Sequence, residues 1–176
     1  SRMKGVEKRL EDEGIEIEPL LMDTKFASIT GMQYDEVAEK LNSYIAIDIG
    51  NGHTTAASIE DEKIQGLFEH HTSALTGESL ERYIKRLAEG VITNEEVYND
   101  HGHGAHVLNP ISKIEKVIVA GPKRELIEKT NNHEEKYLTR LLYNHQHIYI
   151  CCLLCSWQRH VRKSVVRWQK LESSRH

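Results

Sequence analysis

The sequence predicts an α/β fold in which a three-stranded antiparallel meander is extended by a parallel strand, with helices packed on the sheet. Three observations lead there. Tyr44–Ile49, Thr54–Glu60 and Lys63–Glu69 are short runs rich in β-branched and apolar residues, separated by turn-forming residues. Glu78–Glu89 sets Leu80, Tyr83, Ile84 and Leu87 at helical spacing. Ile114–Ala120 is a β-branched run that ends in Gly121-Pro122 and leads into a helical pattern at Lys123–Thr130, the order of a parallel strand entering a helix.

Each element has a local reason. Val6–Leu10, with its charged neighbours, reads as a short amphipathic helix, and Ile15, Ile17 and Leu20 alternate as in a strand, a pattern interrupted by Pro19. Asp23–Gly31 reads as a connection to a helix at Tyr34–Leu41, whose apolar positions 34, 37, 38 and 41 share one face. Within the meander Asp61-Glu62 supplies a polar turn. Thr76 and Gly77 precede the 78–89 helix and Gly90 ends it, so start, stripe and stop agree. Thr93 and Glu96 offer a capping box to a shorter helix reaching about Tyr98. The expected organisation is an N-terminal segment, 1–43, an α/β core, 44–131, and a tail, 132–176.

Most of the chemistry is concentrated in Asp48-Ile49-Gly50-Asn51-Gly52-His53-Thr54-Thr55. An apolar strand ends in one carboxylate, two glycines that permit positive φ and close approach of a ligand, and two hydroxyl residues that restart a strand. A nest of backbone N–H groups beside a Mg²⁺-holding aspartate is one use of these parts. Asn51-Gly52 is also a strong hairpin signal, and the two readings are compatible because a hairpin tip can bind phosphate.

Asp48-x-Gly50-x-x-x-Thr54 resembles the phosphate motif D-x-G-x-x-x-T of the superfamily that includes actin, the heat-shock ATPases and the sugar and acetate kinases. Gly66–Thr72, Asp100–Ala105 and Val117–Arg124 follow at suitable distances. Together they resemble, over about Leu20–Ile127, an archaeal and bacterial family of unknown function labelled pyruvate formate-lyase activating enzyme-like, itself similar to that superfamily. The resemblance implies a ribonuclease H-like lobe of a kinase-like or ATPase-like protein that binds Mg²⁺ and ATP, with the N-terminal lobe of a longer parent as its partner. It also implies roles. Asp48 would position Mg²⁺, the N–H groups of Gly50, Asn51 and Gly52 would meet phosphate, Thr54 would add a hydroxyl, and Gly121 would lie in the adenosine-contacting segment. Glu69 or Asp100 would orient water or accept a proton. Each has an ordinary counterpart: a loop-capping aspartate, a solvated glutamate at a strand end, a Gly-Pro connector.

The histidines point to a second chemistry. His70, His71, His101, His103 and His106, with Glu69, occupy two segments, and His53 lies in the glycine loop; brought together, they could bind a transition metal. They match no fixed zinc signature, and histidines that hydrogen-bond loop backbones or contact phosphate are the plain alternative. A metal-dependent hydrolase built on these loops and a non-catalytic regulatory module are therefore alternatives to the ATPase-like lobe.

A hydrophobic fraction of 39% in 176 residues supplies one core. The net charge of −4 divides unevenly: residues 132–176 hold eight basic and three acidic residues, +5, leaving −9 before them. That tail also holds Cys151, Cys152 and Cys155, both tryptophans and five of the eleven histidines, a mixture that does not favour a nucleic-acid arm. It reads as vector-derived or frame-shifted, as Ser1-Arg2 reads as a cloning remnant. A native helical appendage through Lys136, Tyr137, Arg140, Leu141 and Tyr143 is the competing reading. Ile148–Trp157 is too short to span a bilayer and no signal peptide opens the chain, so a soluble cytoplasmic protein with a small-molecule phosphate or nucleotide ligand is expected, self-association being left open. Three cysteines without a secretory leader argue against structural disulfides, and no C-x-x-x-C-x-x-C run is present to hold a radical-chemistry iron–sulfur cluster.

Overall fold

The apolar alternation of the three central runs does build a meander. A computed structural model describes residues 2–15, 22–129 and 138–140, with helices α1 (Arg2–Asp12), α2 (Thr24–Met32), α3 (Gly77–Ala88) and α4 (Asn94–Asn99). The strands are β1 (Ser43–Ile49), β2 (His53–Glu60), β3 (Lys63–His71), β4 (Gly104–Val107), β5 (Val117–Ala120) and β6 (Leu138–Arg140), in sheet order β4-β3-β2-β1-β5-β6. Neighbours from β4 to β1 pair antiparallel, whereas β5 pairs parallel with both β1 and β6.

β1 is central and buried along its whole length because it has a partner on either side and cover on both faces. Ile45, Ile47 and Ile49 share a core with Phe68 and with Leu80, Tyr83, Ile84 and Leu87 of α3. Tyr44 and Ala46 face the other way, into a cluster with Ile29 and Met32 of α2. Each such isoleucine contributes roughly 2–3 kcal/mol of hydrophobic stabilisation before entropy is counted. The β2–β3 turn uses Asp61 and Glu62 at φ 50° and 62°, the left-handed geometry that matches the twist of a two-residue hairpin. Farther along, Ser58 faces Gly66 while Ile59 faces Ile64, so Gln65 is an extra residue and the register shifts by one.

Helix α3 starts at Thr76, whose side chain accepts from the Ser79 N–H while Ser79 Oγ accepts from the Thr76 N–H, and Gly90 follows its end at φ 72°. α4 has the expected Thr93 cap on the Glu96 N–H. The N-terminal expectations need correction. Asp23–Gly31 is mostly helix, with Asp23 Oδ1 accepting from the Lys25 N–H to cap α2. Tyr34–Leu41 is not a helix: Asp35 Oδ1 takes the Val37 N–H in a local turn, only Ala38–Lys40 coils as a 3-10 turn, and Ala38 and Leu41 still reach the α2-side core. The expected helix after β5 is a 3-10 segment, Arg124–Lys129, and the stretch after α4 contains β4, Gly104–Val107, which lies on the sheet edge. Leu138–Arg140 is strand rather than helix. The alternation at Ile17–Leu20 and the rest of the tail lie outside the described residues. No helix among the described residues is long and apolar enough to cross a membrane.

Candidate functional site

Strand pairing decides which candidate residues share a face, because directly opposed residues point the same way. Asp48 opposes Thr55, Thr55 opposes Glu69, and Glu69 opposes Gly104, so Asp48 and Glu69 lie in one row on the α2 side, two strands apart. At strand spacing that is about 10 Å between backbones. Lys25 of α2 reaches over this row and forms an ion pair with Glu69. One step toward the loop end, His53 opposes His71 directly, and the His103 N–H donates to the Glu69 carbonyl at 2.9 Å, which ties the loop before β4 to β3.

Asp48 stands near the carboxyl end of β1, buried to 8% exposure, beside the carboxyl end of β5. The two ends are fitted closely. Gly121 has φ +100°, and a methyl group on it would sit 2.3 Å from the Ile49 carbonyl oxygen and 2.7 Å from Asp48 Oδ1. The Lys123 N–H donates to the same Ile49 carbonyl at 3.0 Å. Only glycine supplies both the conformation and the room.

The loop between β1 and β2 is a tight hairpin turn. The Gly50 N–H donates inward to the His53 carbonyl at 2.9 Å, and the Gly52 carbonyl accepts from the Thr72 N–H at 3.0 Å. Neither Gly50 nor Gly52 takes a positive φ, so their use is the absence of a side chain; a Cβ on Gly50 would lie 2.8 Å from the His53 carbonyl oxygen. Asn51 and Gly52 are exposed, and their N–H groups donate to no backbone acceptor among the described residues. Thr54 is fully buried, its Oγ1 3.0 Å from Thr72 Oγ1.

His53, His71 and His103 converge on the α2 face at the loop end of the sheet. Their ring centroids are 4.6–4.9 Å apart and one ligand atom from each lies within 4.8 Å of the others. Burial and the nearby Lys25 ammonium lower the basicity of His53, with His103 and His71 adding to the effect and Glu69 opposing it. Glu69 Oε1 is 3.9 Å from His103 Nε2.

His70, one residue from His71, points to the opposite face. It is fully buried, its Nδ1 3.1 Å from the His71 carbonyl and its Nε2 3.6 Å from Asp100 Oδ2. Tyr83 donates its hydroxyl to Asp100 Oδ2 at 2.6 Å, and Arg82 lies 3.8 Å from the same oxygen. The Tyr83 hydroxyl chiefly, and then His70 and Arg82, hold the Asp100 carboxyl below its ordinary value, while burial and that carboxylate push the Tyr83 phenol up to about 12. Asp100 therefore sits across the sheet from Asp48 and Glu69. His101 is exposed at φ 64° after α4, and His106 is exposed on edge strand β4. Of the predicted metal ligands, the structure thus groups His71 and His103 with His53 and separates off His70 and His101. The cavity of about 220 Å³ lined by Lys85, Ala88, Ile111 and Ile114 lies elsewhere, under the end of α3.

A family model described as “Putative pyruvate format-lyase activating enzyme (DUF1786)” matches residues 1–126. The chain belongs to this family. The match takes in β1 to β5 and every candidate-site residue described above, whereas Cys151, Cys152 and Cys155 fall outside it. No curated protein is matched by the chain.

Proposed function

We propose that the chain is a lobe of an ATPase-like protein that binds the phosphate of a nucleotide or a small phosphorylated molecule at the carboxyl ends of β1 and β5. The observation that carries this reading is the packing of Gly121 against Asp48 and Ile49, which leaves a carboxylate and bare backbone side by side where two parallel strands end. Ligands of α/β sheets gather at such carboxyl ends, where neighbouring connections diverge; here β1 leads away to β2 while β5 lies on its other side. The order β3-β2-β1-β5-β6 with β2 alone reversed agrees with the ribonuclease H-like lobe expected from the resemblance, with β4 as an edge addition.

In this reading Asp48 holds Mg²⁺ directly or through water, and the N–H groups of Asn51 and Gly52 meet phosphate oxygens. Gly121 lets the end of β5 close against Asp48 and Ile49. Thr54 braces the turn through Thr72 rather than touching the ligand. Glu69, on the same face, is placed to orient a water, and Asp100, on the other face, has no part. Iron–sulfur chemistry has no part in this reading, because such clusters are held by cysteine thiolates and residues 1–126 contain no cysteine.

Thermal denaturation with Mg-ATP, Mg-ADP and inorganic phosphate tests the proposal. Ligand at about a hundredfold over its Kd stabilises the native state by about 2.7 kcal/mol, and Asp48→Asn should remove that gain for Mg-nucleotide. Equal stabilisation of both proteins would exclude Asp48 from the site.

A further inference from the structure

His53, His71 and His103 have no role in phosphate binding as described, yet three separate parts of the chain bring them together. We propose that they form a site for one divalent transition-metal ion, Zn²⁺ foremost, distinct from the Mg²⁺ assigned to Asp48. The backbone sets up the convergence: His53 and His71 are directly opposed in the β2–β3 ladder, and the His103 N–H is bonded to the Glu69 carbonyl. Ligand nitrogens on a tetrahedral ion with Zn–N bonds of about 2.0–2.1 Å are about 3.4 Å apart. From within 4.8 Å of one another, surface imidazoles reach that arrangement by small side-chain rotations.

The donor set selects the ion. Three neutral imidazoles suit Zn²⁺, Ni²⁺, Cu²⁺ and Co²⁺, whereas Mg²⁺ and Ca²⁺ require oxygen ligands. Glu69 lies 3.9 Å from His103 Nε2, where a carboxylate can orient a coordinating ring from outside the coordination sphere, and its ion pair with Lys25 offsets that cation. With an ion bound, the lone pairs of three rings whose centroids lie within 5 Å of one another converge on it, and a fourth position stays open to water or an anionic ligand.

The test uses the whole chain, stripped with chelator and titrated with Zn²⁺ against a chromophoric competitor, and with Co²⁺ followed by its visible absorption. Because Cys151, Cys152, Cys155 and five histidines follow residue 131, the titration is repeated in a Cys151→Ser, Cys152→Ser, Cys155→Ser background. One equivalent of Zn²⁺ and a Co²⁺ spectrum of low-coordinate nitrogen ligation are expected in both. His53→Ala, His71→Ala and His103→Ala should each abolish that equivalent, while His101→Ala, His106→Ala and Asp48→Asn retain it. No bound equivalent, or one that survives replacement of all three histidines, would overturn the proposal.

Discussion

Gly121 leaves no space for a side chain against Asp48: a methyl group there would lie 2.7 Å from the carboxylate Oδ1, at the point where β1 and β5 end together. Gly121→Ala combines this clash with a φ of +100° that alanine rarely adopts. The substitution should cost about 2–4 kcal/mol, from backbone strain of about 1–3 kcal/mol plus displaced neighbours, and should weaken phosphate binding further. Chemical denaturation and ligand titration of the variant check both. Unchanged stability would mean that the β5 end shifts freely and is no fixed part of a site.

The β2–β3 turn should be improvable. Asp61 and Glu62 both occupy left-handed backbone, which asparagine and glycine tolerate better. Asp61→Asn with Glu62→Gly should raise stability by about 1 kcal/mol, read from the denaturation midpoint at unchanged m-value.

Asp100 makes stability depend on pH in the acid range. Its folded carboxyl is held low, chiefly by the Tyr83 hydroxyl, so its stabilisation is present above the ordinary carboxylate value, roughly 3.9, and is lost as pH falls through the folded one. The advantage of the wild type over Asp100→Asn should therefore shrink steadily below about pH 4. At 48% side-chain exposure solvent screening keeps the effect modest. A difference independent of pH would show that Asp100 acts by packing alone.

Lys25 should depress the titration of His53. Burial and this ammonium favour the neutral ring, so that contribution to stability is present above the ordinary histidine value and is lost as pH falls through the lowered one. Lys25→Met should raise the His53 midpoint in an NMR titration of its imidazole protons. No change would place the ammonium away from the ring in solution.

The sequence carried much of the fold and less of the site. Alternation and turn residues located β1 to β3, β5 and α3, because buried strands and an amphipathic helix leave strong periodic signals. Helix α2 was hidden: Thr24, Ser28, Thr30 and Gly31 are poor helix formers, and packing of Ile29 and Met32 on β1 overrides them, with the Asp23 cap as the readable clue. The choice between His70 and His71 depended on one residue. A hairpin zipped from the Asp61-Glu62 turn without the Gln65 bulge would set His70 opposite His53; the bulge sets His71 there and turns His70 into the core beside Tyr83. Periodicity does not announce such a bulge. Likewise nothing in the spacing of Asp48, Glu69 and Asp100 told that the sheet would put the third on its far side.

The most direct test of the central claim is an amide NMR titration of the chain with Mg-ADP and with inorganic phosphate. Saturable shifts confined to Asn51, Gly52, Gly121 and Lys123 are expected, with those for Mg-ADP lost in Asp48→Asn. Shifts scattered elsewhere, or the same pattern without the carboxylate, would contradict it.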